Sequence, residues 1–464
     1  MRVPRQFRLR LVIGAAAVTL LIYSLARTAA LRPKQEAGVL PTQPPTPYIH
    51  YFSDDVSSQR ALVVHGLDSN KEFMQIFCAA LTDAGFEVYA IDLPGHGDST
   101  ARFNGVVAAN VIEQTVVLVK PDITIGHSMG AALLIDLAHR VKFGKLVLVS
   151  PVPTVVGDLH FENTLVTTET WDIPAVNAFA PMLRGADLLQ WRGMHSSALM
   201  NADQIRKIVM WLGGDPALLH TSQRLLWLGL MFAGAAVLGI VLFPGRDAGI
   251  HRDPLFSKTE IALAFVAAGA VGVVMNRFVV VLRWVQVFAM DYTISMWFVA
   301  GLTLVVILSA RTKKWRPGNS VDILRGFAAA AYVIIVMGLL TGSQLIHMTL
   351  PDGRWWRFIV IAAASFPQFL FDEAATRHVG NAWQNVGIAF VTRGLITASL
   401  ATGVLLFNRE SAFVVLVLPL LFLFWMMMWF ATGFVARNVQ NPAGAALFAA
   451  LVQGWMFAAW FVIV

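Results

Sequence analysis

Apolar and polar positions divide the chain into two halves. Between about residues 50 and 222, short apolar runs alternate with polar and charged stretches, whereas long apolar runs follow one another over 223–464. Most of these long runs approach the roughly 20 residues that a bilayer-spanning helix requires. The pattern therefore predicts a soluble domain over 50–222 and a membrane domain over 223–464.

The second half contains about eight candidate membrane spans, which predict an all-α polytopic domain. They are 223–243, 259–280, 285–309, 322–344, 356–371, 385–407, 411–434 and 443–464. Basic residues concentrate between the spans, most strongly in RTKKWR at 311–316. Such clusters mark the cytoplasmic side of a membrane protein.

The N-terminus carries an apolar run over 11–26 behind four arginines, Arg2, Arg5, Arg8 and Arg10. This pattern predicts an uncleaved signal anchor over 1–31, with a cleaved signal peptide as the alternative. The proline-rich stretch 32–49 is assigned to a linker. The charge pattern predicts that the soluble domain is extracytoplasmic on a plasma (inner) membrane. The lack of any Asn-x-Ser/Thr sequence is consistent with a bacterial membrane.

Strands and helices alternate in the first half, as is typical of an α/β domain. Strands are predicted in 60–66, 86–92, 122–128, 145–150, 163–171 and 186–191, and helices in 69–85, 104–119, 129–140 and 201–212. The strand KLVLVS at 145–150 is apolar enough to be buried on both faces. We therefore expect a mostly parallel sheet with helices on both faces.

Composition and charge narrow the classes of partner. The chain is 57% hydrophobic and 14% charged, against about 25% charged residues in ordinary soluble domains. Its net charge of +7 arises from basic residues at helix ends, and no basic stripe indicates a nucleic acid partner. Cys78 is the only cysteine, which excludes an internal disulfide. We expect it to be buried and inert, and we expect no metal or other cofactor. The oligomeric state is not indicated.

Four ionisable residues lie in or near the candidate spans: Asp291, Asp372, Glu373 and Arg393. Because intramembrane charge is costly, we expect Arg393 to pair with an acid. The segment DEAATR at 372–377 is similar to the EExxxR motif of intramembrane CAAX-type proteases. Those proteases also need histidines on later helices, and the chain has none after His378. The match is therefore a motif without its required context.

The stretch PDITIGHSMGAA at 121–132 contains Gly126, Ser128 and Gly130 in a Gly-x-Ser-x-Gly pattern. It lies between a predicted strand and a predicted helix. In that position the glycines allow strand and helix to approach closely, and the serine occupies a tight turn with its hydroxyl exposed. Ser128 is therefore the candidate nucleophile.

Residues 59–215 resemble the α/β-hydrolase family, in particular its lipase, esterase and monoacylglycerol-lipase-like members. The motifs VVHGLDSN, IDLPGHGDS and IGHSMGA carry this resemblance, in the order that the family has them. It covers about a third of the chain. It implies an α/β-hydrolase fold and a triad in the order serine, acid, histidine.

The resemblance assigns the other two triad members. His195 follows the last predicted strand, and Asp172 ends the strand before it. Glu169 is the alternative acid, and Asp158 and Asp187 are weaker alternatives. His220 is a remote alternative to His195. Earlier histidines, among them His65, His127 and His160, are interpreted as local turn or surface residues.

The same resemblance implies that the backbone N–H groups of Leu67, after Gly66, and of Met129 form the oxyanion hole. Only about a dozen residues separate the strand at 145–150 from the next, so we expect a minimal lid or none. The predicted function is cleavage of carboxylic esters, with lipid or other acyl esters as substrates and membrane lipids as surroundings. Acyl transfer by the same triad, and a transporter or assembly protein with an inactive hydrolase-like domain, are the alternatives.

Overall fold

A computed structural model describes residues 5–53, 59–243, 254–312, 320–342, 348–351, 353–377, 379–437 and 442–464. Most of the basic cluster RTKKWR, which was predicted to mark the cytoplasmic side, lies outside the described residues. The chain forms two compact units. The sheet unit comprises Ala15–Ala235, Gly338–Thr349 and Val462–Val464, and the helical unit comprises Met1–Gly14, Ala236–Met337 and Leu350–Phe461.

The sheet unit is built on eight strands, six of which lie in the stretches predicted as strands. They are β1 Lys34–Leu40, β2 Thr46–Phe52, β3 Arg60–Val64, β4 Glu87–Ile91, β5 Ile123–His127, β6 Lys145–Val149, β7 Thr164–Glu169 and β8 Asp187–Trp191. Their order across the sheet is β1-β2-β4-β3-β5-β6-β7-β8. The pairs β1–β2 and β2–β4 are antiparallel and the others parallel. The predicted mostly parallel sheet is confirmed.

Helices cover both faces of this sheet. In chain order they are α2 Gln75–Asp83, α3 Gly105–Val119, α4 Met129–Leu137, α5 Pro174–Phe179 and α6 Ala202–Leu212, with α1 Arg5–Ala30 before them and α7 Thr221–Leu242 after them. Successive strand residues point to opposite faces, so Val63 and Leu62 enter different apolar cores. The helix α6 begins at Asn201, whose side chain accepts from the N–H groups of Asp203 and Gln204. Cys78, on α2, is buried as expected.

The assignment of residues 32–49 to a linker is wrong. Most of this stretch forms β1 and the start of β2, which pair antiparallel over Lys34–Leu40 and Thr46–Phe52. Most of the prolines that favoured a linker lie between the strands, where no ladder hydrogen bond is required of them. Tyr51 is fully buried on β2, so the segment contributes to the core.

Arg224 connects α7 with α2 through a buried ion pair and with the residue after α1 through a backbone hydrogen bond. Arg224, in the first turn of α7, donates from Nη2 to Asp83 Oδ1 at 2.8 Å and from Nε to the backbone oxygen of Leu31 at 2.9 Å. Both charged side chains are at most 10% exposed. Since Leu31 directly follows α1, the residue that ends one long helix is held beside the start of another.

The helical unit is formed by long apolar helices. They are α8 Lys258–Phe278, α9 Met290–Arg311, α10 Ser320–Gly342, α11 Trp355–Ala375, α12 Ala382–Phe407, α13 Phe413–Ala436 and α14 Pro442–Trp460. In the described part of the chain, nine helices, including α1 and α7, are long and apolar enough to cross a membrane. Eight of them correspond to the predicted spans and the ninth to the predicted N-terminal anchor.

Three of the four ionisable residues singled out in the spans, Asp372, Glu373 and Arg393, form ion pairs. Asp372 on α11 and Arg393 on α12 form a two-pronged ion pair, with Arg393 Nη1 at 2.7 Å from Asp372 Oδ1. Glu373 pairs with Arg377 at 2.7 Å. The expected pairing of Arg393 with an acid is confirmed. A planar guanidinium suits such bidentate contacts, and leaving either charge alone would be costly in this apolar setting.

Candidate active site

Ser128 stands at a sharp turn between β5 and α4. Its backbone has φ of 53° and ψ of −115°, in a region that non-glycine residues rarely adopt. Such a conformation costs about 1–3 kcal/mol and persists only where the surroundings impose it. Here the Ser128 N–H donates to the backbone oxygen of Val149 at 2.8 Å, which fixes the turn to the neighbouring strand β6.

Three glycines allow the backbone segments around Ser128 to touch. A Cβ at Gly126 would lie 2.7 Å from the backbone nitrogen of Ala131, and one at Gly130 would lie 2.6 Å from the backbone oxygen of Val64. A Cβ at Gly66 would lie 2.9 Å from the Cβ of Ser128. All three distances are shorter than real Cβ contacts. The predicted turn glycines therefore occupy positions where strand, helix and the loop after β3 leave no room for a side chain.

A hydrogen-bonded chain links the three predicted triad residues. His195 Nε2 lies 2.8 Å from Ser128 Oγ, and His195 Nδ1 lies 2.6 Å from Asp172 Oδ1. Ser128 comes from the turn after β5, Asp172 from the turn after β7 and His195 from the loop after β8. Because these parallel strands end at the same edge of the sheet, side chains distant in sequence meet there. The arrangement is that of a nucleophile, a general base and an orienting acid.

The environment of Asp172 keeps it ionised. Its side chain is fully buried, and its Oδ1 also accepts from the N–H of Ile173 at 2.6 Å. Burial alone would raise the pKa of Asp172, but hydrogen bonds with His195 and Glu169 outweigh burial and lower the pKa to about 2. The imidazole of His195 is about a quarter exposed, so one side of the site is open to a substrate.

His127 is not the local turn or surface residue that the sequence suggested. It is buried, and its Nε2 lies 3.3 Å from the backbone oxygen of His195. Burial, followed by the nearby His195, lowers the pKa of His127 to about 3, so its ring is neutral. A neutral ring can donate from Nε2 to this oxygen and so hold the loop that carries His195. Sequence alone gave no sign of this contact across 68 residues.

His65 is likewise buried and fixes the loop that contains Leu67. The N–H of Leu93 donates to His65 Nε2 at 3.0 Å, which requires the ring proton to be on Nδ1. That Nδ1 lies 2.7 Å from the backbone oxygen of Gly66. Burial lowers the pKa of His65, in keeping with a neutral ring. His65 thus holds in place the turn that precedes Leu67, and it is buried rather than at the surface.

A buried cation lies behind the same turn. Lys71 Nζ is 2.6 Å from Asp92 Oδ2 and 2.7 Å from Asp98 Oδ2. Burial would lower the pKa of Lys71, but the carboxylates of Asp92, Glu72 and Asp98 outweigh it and raise the pKa. Lys71 directly follows the HGLDSN motif, and its ion pairs therefore tie that segment to the DLPGHGDS motif. The motifs drew attention to these segments, but no spacing showed that Lys71 is buried.

The alternative acid and the alternative histidine do not contact the catalytic candidates in the way a triad member would. Glu169 has hydrogen bonds with Ser150 and Gln204 rather than with His195. The backbone N–H of His220 donates to Asp83, on the far end of α2 from the site's loops. Met129 is the first residue of α4, so its backbone N–H has no hydrogen-bond partner within the helix. Among the described residues, no group of three His, Cys, Asp or Glu side chains could hold a metal ion.

The sequence was compared with family models, curated proteins and solved structures. A model of the alpha/beta hydrolase family matches residues 61–270. A solved membrane phospholipase A, described as a bacterial virulence factor, is 14% identical over 45% of this chain and 98% of its own, with a TM-score of 0.34. An esterase from Pyrococcus furiosus is 16% identical (40% and 94% covered, TM-score 0.34). A thioesterase domain from the curacin biosynthetic pathway is 15% identical (39% and 99% covered, TM-score 0.32). No curated protein matches this sequence.

The family match and the strand order give the same classification. The chain contains a domain of the α/β-hydrolase family, and this domain is joined to a helical region that fits a multi-pass membrane domain. At the level of class, residues 61–270 match the α/β-hydrolase fold.

Proposed function

We propose that the protein is a membrane-bound serine hydrolase that cleaves carboxylic esters through an acyl-enzyme. The observation that carries this proposal is the chain of hydrogen bonds from Ser128 through His195 to Asp172, at 2.8 and 2.6 Å, on a strained turn. A serine hydroxyl is a weak nucleophile, and it gains reactivity when an adjacent base accepts its proton.

The proposed reaction has two halves. Ser128 Oγ attacks the ester carbonyl carbon while His195 Nε2 accepts the hydroxyl proton, and Asp172 stabilises the imidazolium that forms. The negative charge that develops on the carbonyl oxygen is assigned to the N–H groups of Leu67 and Met129, near the positive end of α4. His195 then gives its proton to the leaving alcohol. Water, activated in the same way, releases the acid and restores Ser128.

The side chains beside the triad support an apolar, lipid-like substrate. Trp171 and Met194 immediately precede Asp172 and His195, and they are 69% and 66% exposed. Their loops are held together by a hydrogen bond from the Trp171 N–H to the Gly193 oxygen, at 3.0 Å. The loop 150–163 contains no helix, in keeping with the expected minimal lid. Large exposed apolar side chains at a site rim are typical of surfaces that bind apolar ligands.

We also propose the location and the division of the chain. The basic clusters support a hydrolase domain on the extracytoplasmic side of a plasma (inner) membrane. With the first two strands included, that domain runs from about residue 32 to 222, and the membrane domain runs from about 223 to 464. The N-terminal helix acts as the anchor before it.

Labelling of the full-length, detergent-solubilised protein by a fluorophosphonate tests the reaction class. We expect covalent labelling and hydrolysis of p-nitrophenyl esters, with both lost in Ser128→Ala. The exposed Ser222 offers a matched control, and Ser222→Ala should keep both. Labelling that persists in Ser128→Ala, or a wild-type protein with neither activity, would contradict the proposal.

The lipid-like substrate class needs a separate comparison. We expect Trp171→Ala and Met194→Ala to lower kcat/KM for long-chain esters more than for a butyrate ester. Val106→Ala removes an exposed apolar side chain from the start of α3 and should affect neither substrate. Equal losses on short and long chains would exclude these two residues as acyl-chain contacts.

A further inference from the structure

Glu169 is a buried carboxyl group that the proposed reaction does not use. It is the last residue of β7, and it is fully buried. Its two oxygens accept hydrogen bonds from neutral groups, the hydroxyl of Ser150 and the amide of Gln204, the latter at 3.1 Å. None of the hydrogen bonds or ion pairs described for its side chain comes from a lysine or arginine. A buried carboxylate without a cation is costly, and such groups commonly keep their proton.

The neighbour of Glu169 is the acid of the triad. The N–H of Asp172 donates to the backbone oxygen of Glu169 at 3.1 Å, and a hydrogen bond between the two carboxyl groups would require a proton between them. Burial, and then this hydrogen bond, raise the pKa of Glu169 to about 8, whereas that of Asp172 falls to about 2. Two adjacent carboxyl groups with pKa values moved apart in this way share one proton, held by the group with the higher pKa.

Asp172 has an oxygen that lacks any other donor. Its Oδ1 accepts from His195 Nδ1 and from the N–H of Ile173. Its Oδ2 is buried, and within the described part of the chain no N–H or neutral hydroxyl group donates to it. A buried carboxylate oxygen without a donor is destabilised, because it has lost its hydration without a replacement. A protonated carboxyl group beside it supplies the missing donor.

We propose that Glu169 is a positioning residue of the triad, whose carboxyl group is protonated at neutral pH and donates a hydrogen bond to Asp172 Oδ2. This inference rests on the proposed function, because it assigns Asp172 as the orienting acid. The hydrogen bond holds the carboxylate so that Oδ1 faces His195, and it spreads part of the negative charge of Asp172 away from the imidazole.

Ionisation of Glu169 would undo this arrangement. The groups that face it are Asp172 and, through Asp172, His195; Ser150 after β6, Gln204 on α6 and Asn177 on α5 are neutral. Loss of the proton places a second negative charge against Asp172 with no cation among these neighbours. The two carboxylates then repel each other, and Asp172 loses the donor to Oδ2. Activity is therefore expected to fall as pH rises through about 8.

Three variants of full-length protein in detergent test the role of Glu169. Gln is neutral, has nearly the same shape and can donate from its amide, so Glu169→Gln should keep kcat within about threefold of wild type at pH 7. Glu169→Leu, which has no donor, should lower kcat at least tenfold with little change in KM. The decline at alkaline pH should be present in wild type and absent in Glu169→Gln.

A second measurement reports the proton without activity. The infrared C=O band of a protonated carboxyl group should be present at pH 7 in wild type and reduced in the difference spectrum of Glu169→Gln. If the band does not change, or if Glu169→Gln keeps the alkaline decline or loses as much activity as Glu169→Leu, the inference is overturned. Absence of fluorophosphonate labelling at Ser128 in wild type would instead contradict the proposed function, whatever the infrared spectrum shows.

Discussion

Replacement of Asp172 by asparagine tests the central geometry of the site. In the present structure, Asp172 Oδ1 accepts from His195 Nδ1 at 2.6 Å, and the fully buried side chain holds a negative charge. Asparagine keeps the size but removes the charge. It also turns one of the two oxygens into an N–H₂ group, which either faces His195 and favours the wrong tautomer or faces the carboxyl of Glu169.

The size of the effect follows from what the charge does. The imidazolium of His195 forms only in the transition state, so the lost stabilisation appears in kcat and leaves KM nearly unchanged. Where an orienting aspartate of this kind is replaced by asparagine, kcat falls about 10⁴-fold, which corresponds to roughly 5 kcal/mol. We therefore expect Asp172→Asn to lower kcat by about 10³- to 10⁴-fold.

Steady-state hydrolysis of a short p-nitrophenyl ester at pH 7 measures this change, because a short ester limits contributions from acyl-chain binding. Circular dichroism of the same samples checks that the fold is retained. Asp158→Asn alters an exposed aspartate in the loop after β6 and provides the control, which should keep wild-type kcat. A loss below about tenfold in a folded Asp172→Asn protein would refute the assignment of Asp172 as the orienting acid.

Three further predictions concern stability. Gly130→Ala places a Cβ 2.6 Å from the Val64 oxygen and should lower Tm and abolish labelling, whereas Gly105→Ala, with open space around it, should be tolerated; equal Tm values would contradict the packing argument. Lys71→Met leaves the buried Asp92 without its cation and should lower the free energy of unfolding by about 3–5 kcal/mol. Lys142 is exposed, and Lys142→Met should change the free energy of unfolding negligibly. Wild type should lose stability relative to Glu169→Gln as pH rises from about 5 to 9. The folded state keeps the Glu169 proton up to about pH 8, whereas the unfolded state releases it near pH 4.5. Parallel curves of Tm against pH for the two proteins would exclude a protonated Glu169.

The sequence was sufficient where local pattern and site chemistry coincide. Gly126, Ser128 and Gly130 are close in sequence, and a strand before them and a helix after them permit only one kind of turn. Asp172 and His195 follow strands, so they could be placed at one sheet edge once the strands were recognised. Long apolar runs likewise define membrane helices by length alone.

The features that the sequence did not reveal depend on contacts between segments far apart in the chain. Prolines between 41 and 47 concealed β1 and β2, since a proline-rich stretch reads as a linker unless its partner strand is known. The burial of His127 depends on the loop 68 residues later that it contacts. Glu169 was considered only as a rival acid, because its hydrogen bonds with Ser150 and Gln204 join β7 to segments that no local pattern brings together. The spacing of apolar residues predicts local elements but not which distant segments come into contact.

Arg224 pairs with Asp83 and also donates to the Leu31 oxygen, so it holds the start of α7 beside the end of α1. The hydrolase fold begins and ends at nearly one point, so the whole sheet domain is an insertion between the two long helices α1 and α7. Domains whose ends lie together are tolerated as insertions. A different domain with adjacent ends is therefore expected to fit between these two helices without altering their path.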